Sequence, residues 1–167
     1  FTFNIFFSVK NITLLSLQFS QDGEGHWKTP LRSKADTERL GRAIGKILQG
    51  GEIITLTGEL GTGKTCIVRG IALGVGLSPE EVSSPTFTIV QEYDSHPSII
   101  HVDLYRLDNH SEIEDIGLSS YFDTNHVVII EWADRADITQ LPNDRLTLEL
   151  SHAGRYSRWI RIRTSGT

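Results

Sequence analysis

Hydrophobic and polar residues change their spacing several times along this chain, and each change marks a predicted element. Short apolar runs predict buried strands at residues 52–57, 98–107 and 126–132. Apolar residues three and four positions apart predict helices at residues 33–48 and 66–76. Strands that alternate with helices are typical of an α/β fold built on a mainly parallel sheet.

The two ends of the chain have different patterns. Residues 145–150 alternate cleanly between apolar and polar, and residues 155–163 do so roughly, which predicts an antiparallel hairpin. A further helix is predicted at 111–122. The polar, glycine-containing stretch 21–31 is typical of a loop or linker. The apolar stretch 1–19 predicts one or two extra strands, because its polar interruptions fit neither a signal peptide nor a membrane span.

Residues 58–65, GELGTGKT, match the phosphate-loop pattern G-x-x-x-x-G-K-[ST] between a predicted strand and a predicted helix. Glycines allow backbone amides to surround phosphate oxygens, and the following helix directs the positive end of its dipole at them. The lysine can reach the terminal phosphates, and the threonine hydroxyl can ligate Mg²⁺. The predicted nucleotide-binding residues are Gly58, Glu59, Leu60, Gly61, Thr62, Gly63, Lys64, Thr65 and Cys66.

These patterns together predict a three-layer α/β fold of the P-loop NTPase type. We expect a mainly parallel central sheet with helices on both faces and an antiparallel hairpin at the C-terminus. Such a sheet binds its ligand at the carboxyl ends of the parallel strands.

Two acids lie near the ends of predicted strands, Asp103 in one run and Glu131 in the next. Because parallel strands present their carboxyl ends to one crevice, we expect both acids beside the phosphate loop. One acid would orient Mg²⁺ and the other the attacking water, and the residues alone do not decide which does which. The candidate catalytic residues are therefore Lys64, Asp103 and Glu131, and the candidate metal-site residues are Thr65, Asp103 and Glu131.

Two other features have both a functional and a structural interpretation. A strand-like run is preceded by Ser84, Pro85 and Thr86. We interpret this segment either as a switch that responds to the terminal phosphate or as a plain loop-to-strand junction. Four arginines give the C-terminal segment a basic face, which we interpret as a solvated strand face rather than an RNA site. The four arginines are Arg155, Arg158, Arg161 and Arg163. Either Arg155 or Arg158 is a candidate for contact with nucleotide.

Composition narrows the class of protein. With 167 residues, 38% hydrophobic residues and 22% charged residues, the chain is typical of a globular protein with one main domain. Its net charge of −5 argues against binding DNA or RNA through its own electrostatic field. Its single cysteine, Cys66, favours a reducing cytoplasm, since it has no internal partner. The start of a helix can lower the pKa of a thiol and make it reactive, but we favour a packing role for Cys66.

Other phosphate-loop classes are tested by their own motifs. The chain lacks the N-K-x-D string that reads guanine and the L-S-G-G-Q string of transporter ATPases. Small-molecule kinases need an arginine-rich lid, and Arg106 is the only arginine between Asp103 and Glu131. A kinase that uses the same loop remains the alternative, with a nucleotide-dependent binding module as a third possibility.

Four ordered blocks resemble the bacterial TsaE family (formerly YjeE), the ATPases of tRNA threonylcarbamoyladenosine biosynthesis. They are GELGTGKT, SSPTFTIVQEY, HVDLYRL and GLSSYFDTNHVVIIEWADR. The resemblance runs from about residue 33 to about residue 163. It predicts a P-loop ATPase domain at 31–167, preceded by an N-terminal extension at 1–30.

The resemblance implies roles for particular residues. Lys64 would bind phosphates, Thr65 and Glu131 would belong to the Mg²⁺ site, and Asp103 would be needed for ATP hydrolysis. Trp132 belongs to the same block as Glu131. The Ser-Pro-Thr segment would form a nucleotide-sensitive switch.

The resemblance also implies a cellular role. Family members hydrolyse ATP weakly alone and act with the TsaB and TsaD proteins. Those partners install threonylcarbamoyl on the adenosine next to the anticodon of tRNAs that read ANN codons. This chain would then use ATP and Mg²⁺ to reset the partner complex, and it would meet tRNA only through that complex.

Overall fold

The computed structural model describes residues 17, 19–24, 26–82, 88–107, 110–137 and 141–165. These residues form eight strands: β1 (Ser20–Gln21), β2 (Trp27–Leu31), β3 (Ile53–Thr57), β4 (Val90–Tyr93), β5 (Ser98–Asp103), β6 (His126–Glu131), β7 (Arg145–His152) and β8 (Arg158–Ser165). They also form three α-helices: α1 (Lys34–Gly45), α2 (Lys64–Val75) and α3 (His110–Asp115). Short 3₁₀ turns lie at Pro79–Glu81, Leu118–Tyr121 and Ala133–Arg135.

All eight strands belong to one sheet, in the order β1-β2-β8-β7-β3-β6-β5-β4. The four central strands, β7, β3, β6 and β5, are parallel to one another. Antiparallel pairs flank them on both sides, including the predicted hairpin of β7 and β8. The predicted parallel centre and C-terminal hairpin are therefore confirmed, and β3, which carries the phosphate loop, lies between two parallel neighbours.

The loop predicted at 21–31 is wrong for its second half. β2 pairs with β8 along its whole length, from Trp27 opposite Ile162 to Leu31 opposite Arg158. Within the described part of the chain, β1 pairs only as far as Lys28, so the side of Pro30 that faces away from β8 meets no strand that would need its amide hydrogen. Residues 1–16 and 18 lie outside the described residues, so the strands predicted within 1–19 stay a prediction, as does the domain boundary.

The two long helices begin and end where local signals place them. α1 follows Ser33, whose side-chain oxygen accepts a hydrogen bond from the Asp36 amide at 3.1 Å. It ends at Gly45, three residues before the predicted end at residue 48. α2 begins at Lys64, inside the phosphate-loop motif, and ends before Gly76, which has a left-handed conformation.

α1 and α2 pack against the same face of the sheet and approach each other unusually closely. The contact is made by glycines on both helices: Gly41 and Gly45 on α1, and Gly70 and Gly74 on α2. A Cβ atom on Gly45 would lie 2.1 Å from the carbonyl oxygen of Ile71. The start of α1 is thereby held beside the phosphate loop, where a Cβ atom on Gly63 would lie 3.6 Å from the Thr37 methyl carbon.

The opposite face of the sheet has a thinner cover. The helix predicted at 111–122 is shorter in the structure, because Gly117 has a φ of 67° and separates α3 from the following 3₁₀ turn. Side chains on β3 alternate between the two cores: Ile54 and Leu56 face α1 and α2, and Ile53 faces α3. The predicted three layers are therefore present. Among the described residues, no helix has the length and apolarity that a bilayer crossing needs.

Candidate nucleotide-binding site

The phosphate loop connects β3 to α2 through a backbone that requires glycine. Gly58, Gly61 and Gly63 have φ values of 134°, 76° and 101°. Residues other than glycine rarely adopt positive φ values, so the motif's glycines are needed for the shape of the loop. A Cβ atom on Gly58 would also lie 2.2 Å from the carbonyl oxygen of Leu150 on β7. The loop therefore curls tightly over the end of the sheet and delivers the chain into the start of α2.

Lys64 is the first residue of α2, and its side chain turns back over the loop. Its Nζ atom donates hydrogen bonds to the carbonyl oxygens of Gly58, at 2.6 Å, and Glu59, at 3.0 Å. Burial lowers the pKa of Lys64, although the nearby carboxylates of Glu131 and Asp103 act in the opposite direction. The ammonium group is therefore held inside the loop, with two carboxylates near it.

Thr65 and Glu131 are brought together although 66 positions separate them in the sequence. The Thr65 hydroxyl donates to Oε2 of Glu131 at 3.1 Å. The other carboxylate oxygen, Oε1, lies 2.9 Å from Nε2 of His101, and both of these side chains are buried. His101 was not among the predicted site residues. The sequence carried a signal for it, since residues 101 and 103 of one strand share a face.

Asp103 lies directly beside Glu131, because the two are paired in the register of β5 and β6. Its Oδ1 accepts a hydrogen bond from the Tyr105 amide at 2.9 Å, and the carboxylate is buried. Both predicted acids thus lie at the same end of the sheet as the phosphate loop. They line a cleft of about 190 Å³ together with Leu60, Gly61, Gly63, Lys64, Thr65, Tyr105 and Trp132.

Trp132 covers one side of this cleft from an uncommon backbone conformation. Its φ of 59° is in the left-handed region, which costs a non-glycine residue about 1–3 kcal/mol. The indole ring lies over Lys64, with Nζ 3.6 Å from the ring centroid, and 4.9 Å from the ring of Tyr105. The Trp132 ring therefore shields the lysine from water on that side. Tyr105 is a second lining residue that sequence reasoning did not single out.

The start of β8 contacts the tip of the phosphate loop. Arg158 donates from a terminal nitrogen to the carbonyl oxygen of Gly61 at 3.1 Å. Two arginines further along β8 face acids instead: Arg161 lies 3.1 Å from Asp22, and Arg163 pairs with Glu149. Their charges are locally neutralised, which agrees with a solvated strand face rather than an RNA site.

Cys66 lies on the first turn of α2, with its Sγ atom 3.7 Å from the carbonyl oxygen of Lys34. Burial raises the pKa of the thiol above its ordinary value, although the nearby Lys34 acts in the opposite direction. The packing interpretation therefore holds over a reactive thiolate.

Ser84, Pro85 and Thr86, the predicted switch, lie outside the described residues. The chain that follows them is joined to the site, because the amide of Asp103 donates to the carbonyl oxygen of Ile89 at 2.9 Å. The switch stays a prediction.

Comparison with known proteins gives one consistent result. The family model "Threonylcarbamoyl adenosine biosynthesis protein TsaE" matches residues 31–160. The tRNA threonylcarbamoyladenosine biosynthesis protein TsaE of Treponema pallidum is 40% identical over 119 residues, covering 71% of this chain and 87% of that protein. Its counterpart in Bacillus subtilis is 36% identical over 141 residues, covering 84% and 85%.

A solved structure resembles this chain as a whole. The crystal structure of Bacillus subtilis YdiB superposes with a TM-score of 0.69 at 28% sequence identity, and covers 90% of this chain and 88% of that one. The residues matched by the family model include the phosphate loop and both acidic strands. The chain belongs to the TsaE family.

Proposed function

We propose that this protein is a Mg²⁺-dependent ATPase that serves threonylcarbamoyladenosine formation in tRNA, in the cytoplasm, with TsaB- and TsaD-type partners. The observation that carries the proposal is the contact between the Thr65 hydroxyl and the Glu131 carboxylate beside Lys64. The TsaE relatives are named for this biosynthesis, and family membership fits this function and not the kinase alternative.

The loop and its lysine suit a nucleotide's phosphates. A Cβ atom on Gly61 would meet nothing within 4 Å, so the tip of the loop faces open space where phosphate can approach its amides. The buried ammonium of Lys64 is held in place by the carbonyl oxygens of Gly58 and Glu59 before any phosphate arrives. Its charge is therefore positioned in advance, which avoids reordering a long side chain on binding.

Thr65 and Glu131 suit Mg²⁺, since a hydroxyl and a carboxylate are hard oxygen donors. Oxygens that share an octahedral Mg²⁺ at about 2.1 Å lie about 3 Å apart. The observed separation of 3.1 Å between Thr65 Oγ1 and Glu131 Oε2 meets that requirement. When bound, the ion supplies positive charge to the phosphate oxygens.

We assign Asp103 to the orientation of the attacking water. Glu131 already faces Thr65, and Asp103 is the neighbouring buried acid at the same edge, held by the Tyr105 amide. A carboxylate there accepts a hydrogen bond from water and so directs its lone pair. The rings of Trp132 and Tyr105 limit the entry of other water to the cleft.

Hydrolysis in this role would reset the partners rather than transfer the threonylcarbamoyl group. Phosphate-loop ATPases often stay slow until a partner supplies or positions a group. The net charge of −5 suits a protein that meets tRNA through its partners rather than by its own field.

Reconstitution tests the proposal. The protein would be added to TsaB, TsaD, threonylcarbamoyl-AMP and a tRNA that reads ANN codons, and modified tRNA per complex would be counted with and without ATP. We expect many turnovers with ATP and about one without it. Lys64→Ala should remove the ATP effect, and Lys46→Ala, which changes an exposed lysine outside the cleft, should not.

Equal turnover with and without ATP would refute the proposed role. A parallel incubation with γ-labelled ATP and cell extract covers the alternative. Label on a protein or small-molecule acceptor would indicate a kinase, whereas label found only as inorganic phosphate would support the ATPase.

A further inference from the structure

His101 is a buried histidine that neither the motif analysis nor the proposed mechanism uses. It lies on β5 with no exposed surface, two residues before Asp103. Its Nε2 atom is 2.9 Å from Oε1 of Glu131, and its Nδ1 atom is 3.5 Å from the Tyr93 hydroxyl. The imidazole therefore lies between a carboxylate at the candidate Mg²⁺ site and a phenol on β4.

The two oxygens of Glu131 have different partners. Oε2 accepts from the Thr65 hydroxyl, and Oε1 faces His101. An ionised carboxylate can only accept hydrogen bonds, so the imidazole must be the donor at Nε2. A carboxylate that is held at one oxygen cannot rotate freely, and its other oxygen keeps its direction.

Tyr93 completes the arrangement on the far side of the ring. In a neutral imidazole with its hydrogen on Nε2, the Nδ1 atom accepts a hydrogen bond. The Tyr93 hydroxyl is the group in position to donate it. Tyr93 itself is buried against the core beneath α1 and α2, so the phenol is fixed by packing.

We propose that His101 is a positioning residue: it holds Oε1 of Glu131 so that Oε2 points at Thr65 and the Mg²⁺ site, with the Tyr93 hydroxyl beside its other ring nitrogen. The inference rests on the proposed function of the cleft, because it gives the buried histidine a purpose only if Glu131 ligates the ion. Outer partners of metal ligands typically affect metal affinity by about 10–100-fold.

Two amide substitutions separate this role from a merely structural one. In His101→Gln the side-chain amide nitrogen falls near the place of Nε2 and can donate to Glu131. In His101→Asn the same group falls near Nδ1 and does not reach Glu131. Both replace a buried imidazole by a neutral amide. Asparagine is one methylene shorter, so its greater packing cost is judged from the affinity in EDTA. Thr147→Val is the control, since it removes a buried hydroxyl pair with Thr55 within the sheet.

The measurement is binding of a non-hydrolysable ATP analogue by titration calorimetry, once with excess Mg²⁺ and once with EDTA. Mn²⁺ binding to the protein–analogue complex, followed by electron paramagnetic resonance, reports the metal directly. We expect His101→Asn to weaken Mn²⁺ binding and the Mg²⁺-dependent tightening by about 10-fold or more, with EDTA affinity within about twofold of wild type. His101→Gln should recover most of the loss, and Thr147→Val should show none.

Wild-type metal dependence in His101→Asn would overturn the inference, and so would equal losses in EDTA and Mg²⁺ or equal behaviour of the two amides. If His101→Asn does not fold, His101→Gln and Tyr93→Phe decide the question. His101→Gln must keep the metal dependence of binding. Tyr93→Phe must weaken that dependence, by less than the 10-fold or greater loss expected for His101→Asn. Normal metal-dependent binding by wild type, without any effect of ATP on tRNA modification, would refute the proposed function alone.

Discussion

Replacing Gly45 by alanine tests the close packing of α1 against α2. The added Cβ atom would lie 2.1 Å from the carbonyl oxygen of Ile71 and 2.9 Å from the Cα atom of Gly74. Both are backbone atoms of α2, so they cannot move aside individually, and the helices must separate by about 1 Å to restore ordinary contact. Overpacking of this kind costs about 1–3 kcal/mol. Alanine's higher helix propensity offsets at most about 1 kcal/mol.

We therefore expect Gly45→Ala to lower the free energy of unfolding by about 1–2 kcal/mol and the melting temperature by about 2–8 °C. Circular dichroism during heating and in urea measures both quantities. Gly23→Ala is the control, because its Cβ atom would meet nothing within 4 Å, and we expect a change below about 0.5 kcal/mol. A Gly45→Ala protein as stable as wild type would show that the helices do not approach as described.

Three other predictions concern the site. Cys66 should react with iodoacetamide more slowly at pH 8 than a free model thiol, because burial raises the pKa of its thiol. Mass spectrometry measures the rate of modification, and a rate above that of the model thiol would contradict the prediction. Arg158→Gln should weaken binding of a fluorescent ATP analogue about 10-fold, because it loses the bond to Gly61 that fixes the loop tip, whereas exposed Arg155 replaced by glutamine should leave binding unchanged. The lowered pKa of Lys64 means that the unfolded chain binds more protons, so stability should rise with pH between the folded pKa and the ordinary value of 10.5. Urea unfolding across that alkaline range should show a weaker rise in Lys64→Met, and identical slopes would refute the assignment.

The strand, loop and helix around the phosphate site are predictable from the sequence because their determinants are local. Glycines at 58, 61 and 63 permit the positive φ angles of the loop, and the apolar runs beside them predict the strand and the helix. The placement of Asp103 and Glu131 followed from one general rule about the carboxyl ends of parallel strands. The positions of these two acids at the ends of their strands could thus be predicted from the sequence.

The missed features depend on partners that are distant in the sequence. β2 is a strand because it pairs with β8, which lies more than a hundred residues later in the sequence. The lysine, threonine and proline of β2 do not by themselves predict a strand. His101 required the register of β5 against β6, which brings its ring to Glu131. The long helix expected at 111–122 is a different case, because the signal was local: Gly117 has a left-handed conformation and divides the segment.

Trp132 gives the protein an optical readout of its own nucleotide cleft. The chain has three tryptophans, and the other two, Trp27 and Trp159, lie on β2 and β8 and do not line the cleft. An ammonium ion 3.6 Å from an indole centroid perturbs its excited state, so phosphates that pair with Lys64 and offset its charge should change the emission of Trp132. Titrations can therefore follow ligand arrival in the unlabelled protein, and stopped-flow emission can separate that event from the proposed hydrolysis.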